Sequence, residues 1–288
     1  MLNKIIKLLK INHYIKNLVV FVPLIFSMNF VNIKQCASAT LMFIAFCLVS
    51  SAVYIFNDLV DKESDKLHPI KRFRPIPSGQ ISLNVAVCLI ILLLSISALL
   101  SSYINYYCLF TILAYFLLNV LYSFKLKKIP LIDVTCIAIG FILRILSGCF
   151  AISVLPSPLV ILMTFFLSNF FTFIKRKLEL QLIKNGEIRT SLKEMDIHTI
   201  NRFILINVIL SISFYITYVL DDTTIARVGS NYLYITTIPF ALIIYRLLLL
   251  VDSTNDEDDP IIYFKQDIVL KCLVVFYFIV FALIFIKF

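Results

Sequence analysis

The stretch "YIFNDLVDKESDKLHPIKRFRPIPSG" at residues 54–79 is a highly charged segment between two long apolar runs. Its acids are Asp58, Asp61, Glu63 and Asp65, and its bases are Lys62, Lys66, Lys71, Arg72 and Arg74. The run on each side has about 20 apolar residues, enough for a helix to cross a bilayer. We therefore expect the stretch to connect two transmembrane helices.

The composition of the whole chain is that of a helical membrane protein. Its 288 residues are 61% hydrophobic, and the mean hydropathy is +0.98. Soluble domains use apolar residues for only about half of their length. Strands of a membrane barrel would be shorter and would alternate in polarity. The sequence predicts an all-α integral membrane protein with one membrane domain over residues 1–288.

Apolar runs and their polar breaks predict about nine transmembrane helices. They lie roughly at 17–31, 36–56, 81–101, 104–122, 131–152, 157–174, 202–220, 231–251 and 268–286. The first is the weakest, because Pro23 and polar flanking residues leave it short. We expect short helices in the long charged connectors.

The basic residues predict the orientation. All but four of the 26 lysines and arginines lie in the N-terminal segment or in or close beside the connectors after spans two, four, six and eight. Cytoplasmic loops carry an excess of Lys and Arg. We therefore expect a multi-pass protein of the cell (inner) membrane whose N-terminus and charged connectors face the cytoplasm. Arg144 is an exception that lies at membrane depth.

The acidic residues after span two have the spacing of one helix face. If the helix continues, Asn57, Asp61 and Asp65 stack on one side, with Asp58 beside them. Stacked carboxylates repel one another, and a bound cation would turn them into ligands. Oxygen ligands without Cys or His suit Mg²⁺. The alternative is a solvated loop whose acids are neutralised by lysines.

The basic half of the stretch adds groups that suit phosphate. Lys71, Arg72 and Arg74 stand among prolines that stiffen the connector. Arg binds phosphate through two N–H groups, and Lys adds a compact charge. Carboxylates for a divalent cation, beside bases for phosphate oxygens, are the parts of a diphosphate site.

The segment "NDLVDKESD" resembles the NDxxDxxxD motif of the UbiA superfamily of intramembrane prenyltransferases. Nine spans with cytoplasmic active-site connectors are also similar to that family. The resemblance implies that Asp58, Asp61 and Asp65 are catalytic and hold Mg²⁺. It also implies that Asn57 binds a phosphate or ribose oxygen.

A second set of segments resembles one branch of that superfamily, the decaprenyl-phosphate phosphoribosyltransferases. They are "DKLHPIKRFRPIPSG" (65–79), "YIKNLVVFVPLIF" (14–26), "LYSFKLKKIPLIDV" (121–134), "GFILRILSG" (140–148), "FTFIKRKLEL" (171–180) and "YRLLLLVDSTNDEDDPIIYFKQD" (245–267). Tyr14 replaces the tryptophan usual in the family. The implied substrate-binding residues are Lys16, Asn17, Asn57, Lys71, Arg72, Arg74, Tyr122, Lys125, Asp133, Arg144, Lys175 and Arg176.

The chain departs from the superfamily pattern after span six. Prenyl-transferring members carry a second aspartate-rich motif there, whereas this chain has Lys175, Arg176 and Lys177. The change suits phosphoribosyl diphosphate, whose additional phosphate at C5 requires cations. The alternative is an ordinary positive-inside stop after the helix. Asp133 and Arg144 share a face of span five. Arg144 is expected to anchor a phosphate or to pair with a carboxylate from another helix, and Asp133 to bind a ribose hydroxyl or a metal. A purely structural buried pair is the alternative.

The resemblance implies Mg²⁺-dependent transfer of 5-phosphoribose from phosphoribosyl diphosphate to a polyprenyl (decaprenyl-type) phosphate, with release of diphosphate. Such a membrane-embedded pentosyltransferase belongs to cell-envelope biosynthesis. We expect a bilayer environment and no nucleic-acid partner, and the sequence leaves the oligomeric state open.

One rival function is prenyl transfer to an aromatic acceptor, which predicts a second acidic cluster. The other is a transporter or flippase of a phosphorylated metabolite, which predicts broken helices with midplane charges.

Overall fold

The computed structural model describes residues 2–182, 190–192, 195–253 and 260–286, and the described residues form helices, turns and loops without strands. The α-helices are α1 (Leu2–Leu9), α2 (Val22–Phe26), α3 (Ile33–Val60), α4 (Lys62–Leu67), α5 (Leu83–Ile104), α6 (Tyr106–Phe124), α7 (Ile132–Ala151), α8 (Pro158–Leu182), α9 (Ile197–Leu220), α10 (Asp222–Val228), α11 (Thr237–Ser253), α12 (Ile261–Gln266) and α13 (Ile268–Ile286). The 3₁₀ segments are Ile11–Phe21, Asn29–Val31, Lys71–Phe73, Leu126–Lys128, Thr190–Leu192 and Asn231–Thr236.

Polar side chains cap the start of several long helices. Asn32 accepts a hydrogen bond from the backbone N–H of Lys34 at the start of α3. Asn105 accepts from the N–H of Cys108 at 2.9 Å and begins α6. Its backbone is extended, so it also ends α5. A cap of this kind satisfies an N–H group that has no partner inside the helix.

Seven helical segments are long and apolar enough to cross a membrane, by length and composition. They are α3, α5, α6, α7, α8, α9 and the segment Asn231–Asp252, and they confirm predicted spans two to eight. Predicted spans one and nine correspond to the shorter apolar helices Ile11–Phe26 and Ile268–Ile284 among the described residues. Most of the first segment is 3₁₀ rather than α-helix. The prediction of an all-α membrane protein is confirmed.

Helices also form in two of the charged connectors. The connector after α3 contains α4 and the 3₁₀ turn Lys71–Phe73, and α12 precedes α13. Both were expected to hold short helices. The residues at 183–189, 193–194 and 254–259 lie outside the described part of the chain.

The chain divides into two compact units. The first comprises Met1–Lys127 and Gly140–Pro156, and the second comprises Lys128–Ile139 and Ser157–Phe288. The expectation of one membrane domain over residues 1–288 stays a prediction.

The first unit is built around α3, which packs against α5, α6 and the segment Ile11–Phe21. Small residues on α3, such as Ala39, Ala45 and Ala52, are fully buried. Small residues at membrane helix contacts let backbones approach closely. Gly148 of α7 serves the same purpose, because a Cβ there would lie 2.2 Å from the carbonyl oxygen of Val20.

The second unit has an aromatic and aliphatic core on α8 and α9. Phe173 of α8 stacks on Phe203 of α9 with ring centroids 5.0 Å apart. The cluster extends to Leu247 of α11 and Leu270 of α13, both fully buried. Asp267 accepts from the guanidinium of Arg246 at 2.6 Å and holds the start of α13 beside α11.

Candidate active site

The acidic motif lies at the end of α3 and on the short helix that follows. Asp58 is in the last turn of α3, Asp61 is the residue between α3 and α4, and Asp65 is on α4. Asp58 is only 1% exposed and Asp65 only 4%. Burial of a carboxylate is costly unless a cation or hydrogen-bond donors face it. The partners of these acids therefore define the site.

Arg74 is the shared partner of the two buried carboxylates. Its Nη1 atom donates to Oδ1 of Asp58 at 3.1 Å and to Oδ2 of Asp65 at 2.7 Å. The two acids thus converge on one point occupied by a cationic nitrogen. Lys10 adds a second contact, from Nζ to Oδ1 of Asp58 at 2.8 Å. Burial lowers the pKa of Lys10 from its usual value, and the neighbouring Asp58 acts in the opposite direction.

The other two polar residues of the motif face the end of α6. Asp61 forms an ion pair with Lys127, and the Oδ1 atom of Asn57 accepts from the buried hydroxyl of Ser123. Three segments therefore meet at this end of the first unit: the N-terminal segment, the connector after α3 and the end of α6. The sequence predicted all three to lie on the same side of the membrane.

The basic turn is held by its own residues. The Nδ1 atom of His68 accepts from the backbone N–H groups of Ile70 and Lys71, at 3.2 and 3.4 Å. Ile76 is buried in the core that includes α5. The turn is thus fixed to the unit directly after Arg74. Lys71 is half-buried, and Arg72 is exposed with its guanidinium 4.8 Å from the ring centre of Phe73.

Arg144 lies in a buried polar pocket of the first unit and is 5% exposed. Its Nε donates to Oδ1 of Asn17 at 2.8 Å, and its Nη1 donates to the carbonyl of Gly140 at 2.8 Å. Its Nη2 donates to the hydroxyl of Tyr115 at 3.0 Å. The guanidinium also lies over the rings of Tyr115 and Phe46. The ion pairs between described residues do not include Arg144.

Three other predicted residues of the first unit lie near these groups in sequence. Lys16 and Tyr122 are half-buried, and Lys125 is exposed at the end of α6. Lys127, two residues after Lys125, is the lysine that contacts the acidic motif.

The second unit contains a separate buried ion pair between α7 and α8. The Nη2 atom of Arg176 lies 3.1 Å from Oδ2 of Asp133, and both side chains are almost fully buried. Arg176 also donates to Glu179 at 2.7 Å, and the hydroxyl of Ser191 donates to Asp133 at 3.0 Å. Lys175 is half-buried. Asp133 therefore pairs with Arg176 of its own unit.

The donor set at Asp58 and Asp65 fits a magnesium ion. Mg²⁺ in substrate sites is commonly held by one or two carboxylates together with phosphate oxygens. These two acids already share one cationic partner, the Nη1 atom of Arg74. Within the described part of the chain, no three acidic, His or Cys side chains are grouped closely enough to hold a metal. The three-carboxylate ligand set with Asp61 stays a prediction.

Several residues of the site were not predicted. Lys10, Lys127 and Ser123 contact the motif, and Tyr115 contacts Arg144. Lys127 stands inside a quoted similar segment, so its sequence position was a usable signal. Lys10 and Tyr115 had no such signal, because one belongs to a run of topology lysines and the other to an apolar span.

These features define a class of protein: a multi-pass helical membrane protein with a carboxylate site at one end of its first unit. The model of the UbiA prenyltransferase family matches residues 20–271. The chain belongs to this family, as the sequence motif predicted.

Two curated relatives illustrate its place in the family. The uncharacterized protein y4nM of Sinorhizobium fredii is 38% identical over 142 residues, covering 49% of this chain and 27% of that protein. A decaprenyl-phosphate phosphoribosyltransferase of Corynebacterium glutamicum is 33% identical over 196 residues, covering 65% of this chain and 58% of that enzyme. The matches thus cover less than two thirds of each relative's length.

A solved structure supports the fold. It is that of a UbiA homologue from Archaeoglobus fulgidus bound to DMAPP and Mg²⁺. The TM-score is 0.70 at 17% identity, and the match covers 97% of this chain and 99% of that one. The fold is therefore UbiA-like over almost the whole chain.

Proposed function

We propose that this protein transfers 5-phosphoribose from phosphoribosyl diphosphate to a polyprenyl phosphate of the decaprenyl type. A phosphate oxygen of the lipid attacks C1 of the ribose and forms the new C1–O bond. The bond between C1 and the diphosphate oxygen breaks, and diphosphate leaves with the bonding electrons. The acceptor is already an anion, so the step requires no strong general base.

The observation that carries this proposal is the arrangement on α8. The position where prenyl-transferring relatives are expected to have a second acidic motif holds Lys175, Arg176 and Lys177. Arg176 is buried and oriented by Asp133 and Glu179. A buried, oriented guanidinium suits a phosphate oxygen. The similarity to the C. glutamicum decaprenyl-phosphate phosphoribosyltransferase supports transfer of a phosphoribosyl group.

The acidic motif is proposed to hold the metal. Asp58 and Asp65 are the ligands that the geometry supports best, and Asp61 is the third proposed ligand. When bound, Mg²⁺ would neutralise the charge that develops on the departing diphosphate. Asn57 binds a phosphate or ribose oxygen beside these acids.

The remaining predicted residues are proposed to bind the phosphates and the ribose. Arg74 acts on the diphosphate, because its guanidinium contacts Asp58 and Asp65, and its neighbours Lys71 and Arg72 follow as proposed phosphate ligands. The proposed binding residues are Lys16, Asn17, Lys71, Arg72, Arg74, Tyr122, Lys125, Asp133, Arg144, Lys175 and Arg176. The Asn17 and Arg144 pair offers a desolvated positive charge inside the first unit.

We further propose that the charged connectors face the cytoplasm of the cell, where a soluble phosphoribosyl donor is available. The excess of Lys and Arg in these connectors supports that orientation. The lipid tail of the acceptor lies along exposed apolar helix surfaces, which include Ile91 and Leu99 of α5.

A transfer assay tests the proposal. The purified protein in detergent is incubated with Mg²⁺, polyprenyl phosphate and phosphoribosyl diphosphate labelled in the ribose. We expect a labelled lipid that depends on the acceptor. A parallel reaction contains a polyprenyl diphosphate and 4-hydroxybenzoate. Product in the second reaction alone would refute phosphoribosyl transfer and favour prenyl transfer to an aromatic acceptor.

A separate uptake experiment tests the alternative that the protein is a transporter. The protein is reconstituted in sealed vesicles without polyprenyl phosphate, and uptake of labelled phosphoribosyl diphosphate is measured. The proposal predicts no uptake above that of protein-free vesicles. Uptake without any labelled lipid in the transfer assay would support a transporter instead.

A further inference from the structure

Each carboxylate of the acidic motif has a basic partner from another part of the first unit. Asp58 is paired with Lys10 and Arg74, Asp65 with Arg74, and Asp61 with Lys127. The three bases come from the N-terminal segment, the turn after α4 and the end of α6. Residues far apart in sequence thus neutralise the three acids of the motif.

The charges of these six side chains cancel, since three carboxylates face three bases. A divalent cation added alone would leave the group with a net charge of +2. Like charges held close together near a protein surface repel one another, so an added metal ion would be disfavoured by the three bases. A complex of the metal with diphosphate adds no net positive charge, because the diphosphate carries more negative charge than one divalent cation neutralises. The group is therefore better suited to the metal–diphosphate complex than to the free metal.

We propose that Lys10, Arg74 and Lys127 are counter-ions that exclude free divalent metal from the acidic motif. When metal and diphosphate arrive together, these bases exchange carboxylate oxygens for phosphate oxygens. Metal and diphosphate then bind with positive coupling, and each raises the affinity for the other by the same factor. This inference rests on the metal–diphosphate site of the proposed function and adds the mechanism by which that site is filled.

The geometry of Arg74 suits an exchange of carboxylate oxygens for phosphate oxygens. Its Nη1 already bridges two carboxylates, and a guanidinium fork matches phosphate oxygens equally well. Its backbone is anchored because Pro75, Ile76 and Pro77 directly after it are buried. Its side chain is 34% exposed, compared with 2% for that of Asp58. The guanidinium of Arg74 can therefore rotate towards a phosphate while its backbone stays in place.

Lys10 also has space to move. It lines a surface recess of about 380 Å³ together with Lys7, Asn12 and His13. Its side chain is 19% exposed. An ammonium group displaced from Asp58 can turn into this recess and remain hydrated.

The test measures metal binding without any transfer reaction. The full-length protein in detergent is dialysed to equilibrium with radioactive Mn²⁺ as the probe for Mg²⁺, with or without labelled inorganic diphosphate. The metal and the diphosphate retained by the protein are counted separately. For the wild type we expect at least about tenfold tighter retention of Mn²⁺ when diphosphate is present, within the usual range of coupling between sites.

Three variants separate the role of the bases from general charge effects. Arg74→Gln is expected to raise the affinity for Mn²⁺ alone about tenfold and to weaken the coupling to diphosphate. Lys127→Gln is expected to act in the same direction through Asp61, which provides a second route if Arg74→Gln does not fold. The matched control is Lys66→Gln. It removes one positive charge from α4, but Lys66 pairs with Glu63 at 2.9 Å and not with the motif. It should leave both affinities unchanged.

The inference is overturned if the wild type retains Mn²⁺ equally well with and without diphosphate. It is also overturned if the folded Arg74→Gln and Lys127→Gln proteins bind Mn²⁺ alone like the wild type. Tight binding of Mn²⁺ alone together with labelled lipid in the transfer assay refutes only this inference. Coupled binding without labelled lipid supports the inference and refutes phosphoribosyl transfer.

Discussion

The Nε atom of Arg144 lies 2.8 Å from Oδ1 of Asn17, although 127 positions separate the two residues in the chain. The hydrogen bond joins the N-terminal segment to α7 within the first unit. Asn17 is 1% exposed, so its amide is as deeply buried as the charge that it contacts. A buried charge is tolerated only where dipoles or an opposite charge replace water.

Replacement of Asn17 tests this contact. Asn17→Ala leaves the Nε–H of Arg144 without its acceptor, and we expect the free energy of unfolding to fall by about 1–3 kcal/mol. Asn17→Asp supplies a carboxylate to the same atom and should be the more stable of the two variants. The measurement is thermal unfolding of the purified proteins in one detergent. An alanine variant as stable as the wild type would contradict the assignment.

The two glycines of α7 provide a matched pair. A Cβ at Gly148 would lie 2.2 Å from the carbonyl oxygen of Val20, whereas one at Gly140 would meet its nearest atom, in the ring of Tyr115, at 3.5 Å. Gly148→Ala should destabilise by about 1–3 kcal/mol, because the N-terminal segment must move away. Gly140→Ala should be neutral or stabilising by up to about 1 kcal/mol, owing to the helix propensity of Ala. The measurement is the unfolding temperature of both variants. Equal changes in that temperature would exclude a specific contact at Gly148.

The buried pair of Asp133 and Arg176 makes a different prediction. Asp133→Asn removes a charge partner from a guanidinium that is 2% exposed. We expect a loss of about 3–5 kcal/mol, which is the usual cost of breaking a buried ion pair. The double variant Asp133→Leu with Arg176→Met removes both charges and should recover much of this loss. If the double variant unfolds at a lower temperature than Asp133→Asn, the pair has another structural role.

The acidic motif predicts a sharp contrast between neighbouring acids. Asp61→Asn should lower the rate of lipid product formation by at least about 100-fold, the scale seen when one electrostatic contact to developing charge is lost. The control is Glu63→Gln, because the side chain of Glu63 is 77% exposed and pairs with Lys66 three residues away. We expect this control to retain the activity of the wild type. Full activity of a folded Asp61→Asn protein would remove that residue from the metal site.

Asp267 predicts a dependence of stability on pH. The hydrogen bond from Arg246 lowers the pKa of Asp267, and the backbone N–H of Leu270 contributes in the same direction. The carboxylate therefore stabilises the fold fully above the unfolded pKa of about 3.9. This contribution is lost as the pH falls through the lower pKa of the folded state. The unfolding temperature of the wild type should fall across that range more steeply than that of Asp267→Asn. Equal slopes would contradict the pairing.

The helical class and most of the spans could be predicted, because length and hydropathy alone decide which segments cross a bilayer. The first predicted span, expected to be short, is the shorter apolar helix Ile11–Phe26, most of it in 3₁₀ form. A 3₁₀ helix and an α-helix can bury the same apolar residues, and composition does not distinguish them. Short helices in the connectors, such as α4, followed from their mixed charge.

The site was predicted at the level of residue type but not of pairing. The spacing of Asp58, Asp61 and Asp65 indicated a common helix face. It did not indicate that Asp61 would turn to Lys127 while the other two share Arg74. Such pairings depend on which helix ends and connectors lie next to one another in the folded protein. The same reason explains why one alternative for Arg144 was a carboxylate from another helix, whereas its Nε donates to the amide oxygen of Asn17.

The 3₁₀ form of the first apolar segment, Ile11–Phe26, affects the length that the segment spans. Ile11–Phe21 has 11 residues in 3₁₀ form, and Val22–Phe26 has 5 in α form. A 3₁₀ helix rises about 2.0 Å per residue and an α-helix about 1.5 Å. End to end, the two pieces measure roughly 30 Å, which is about the thickness of the hydrocarbon core. The same residues as a continuous α-helix would measure only about 24 Å. Stretching the backbone thus lets a short segment reach the length of a full transmembrane helix.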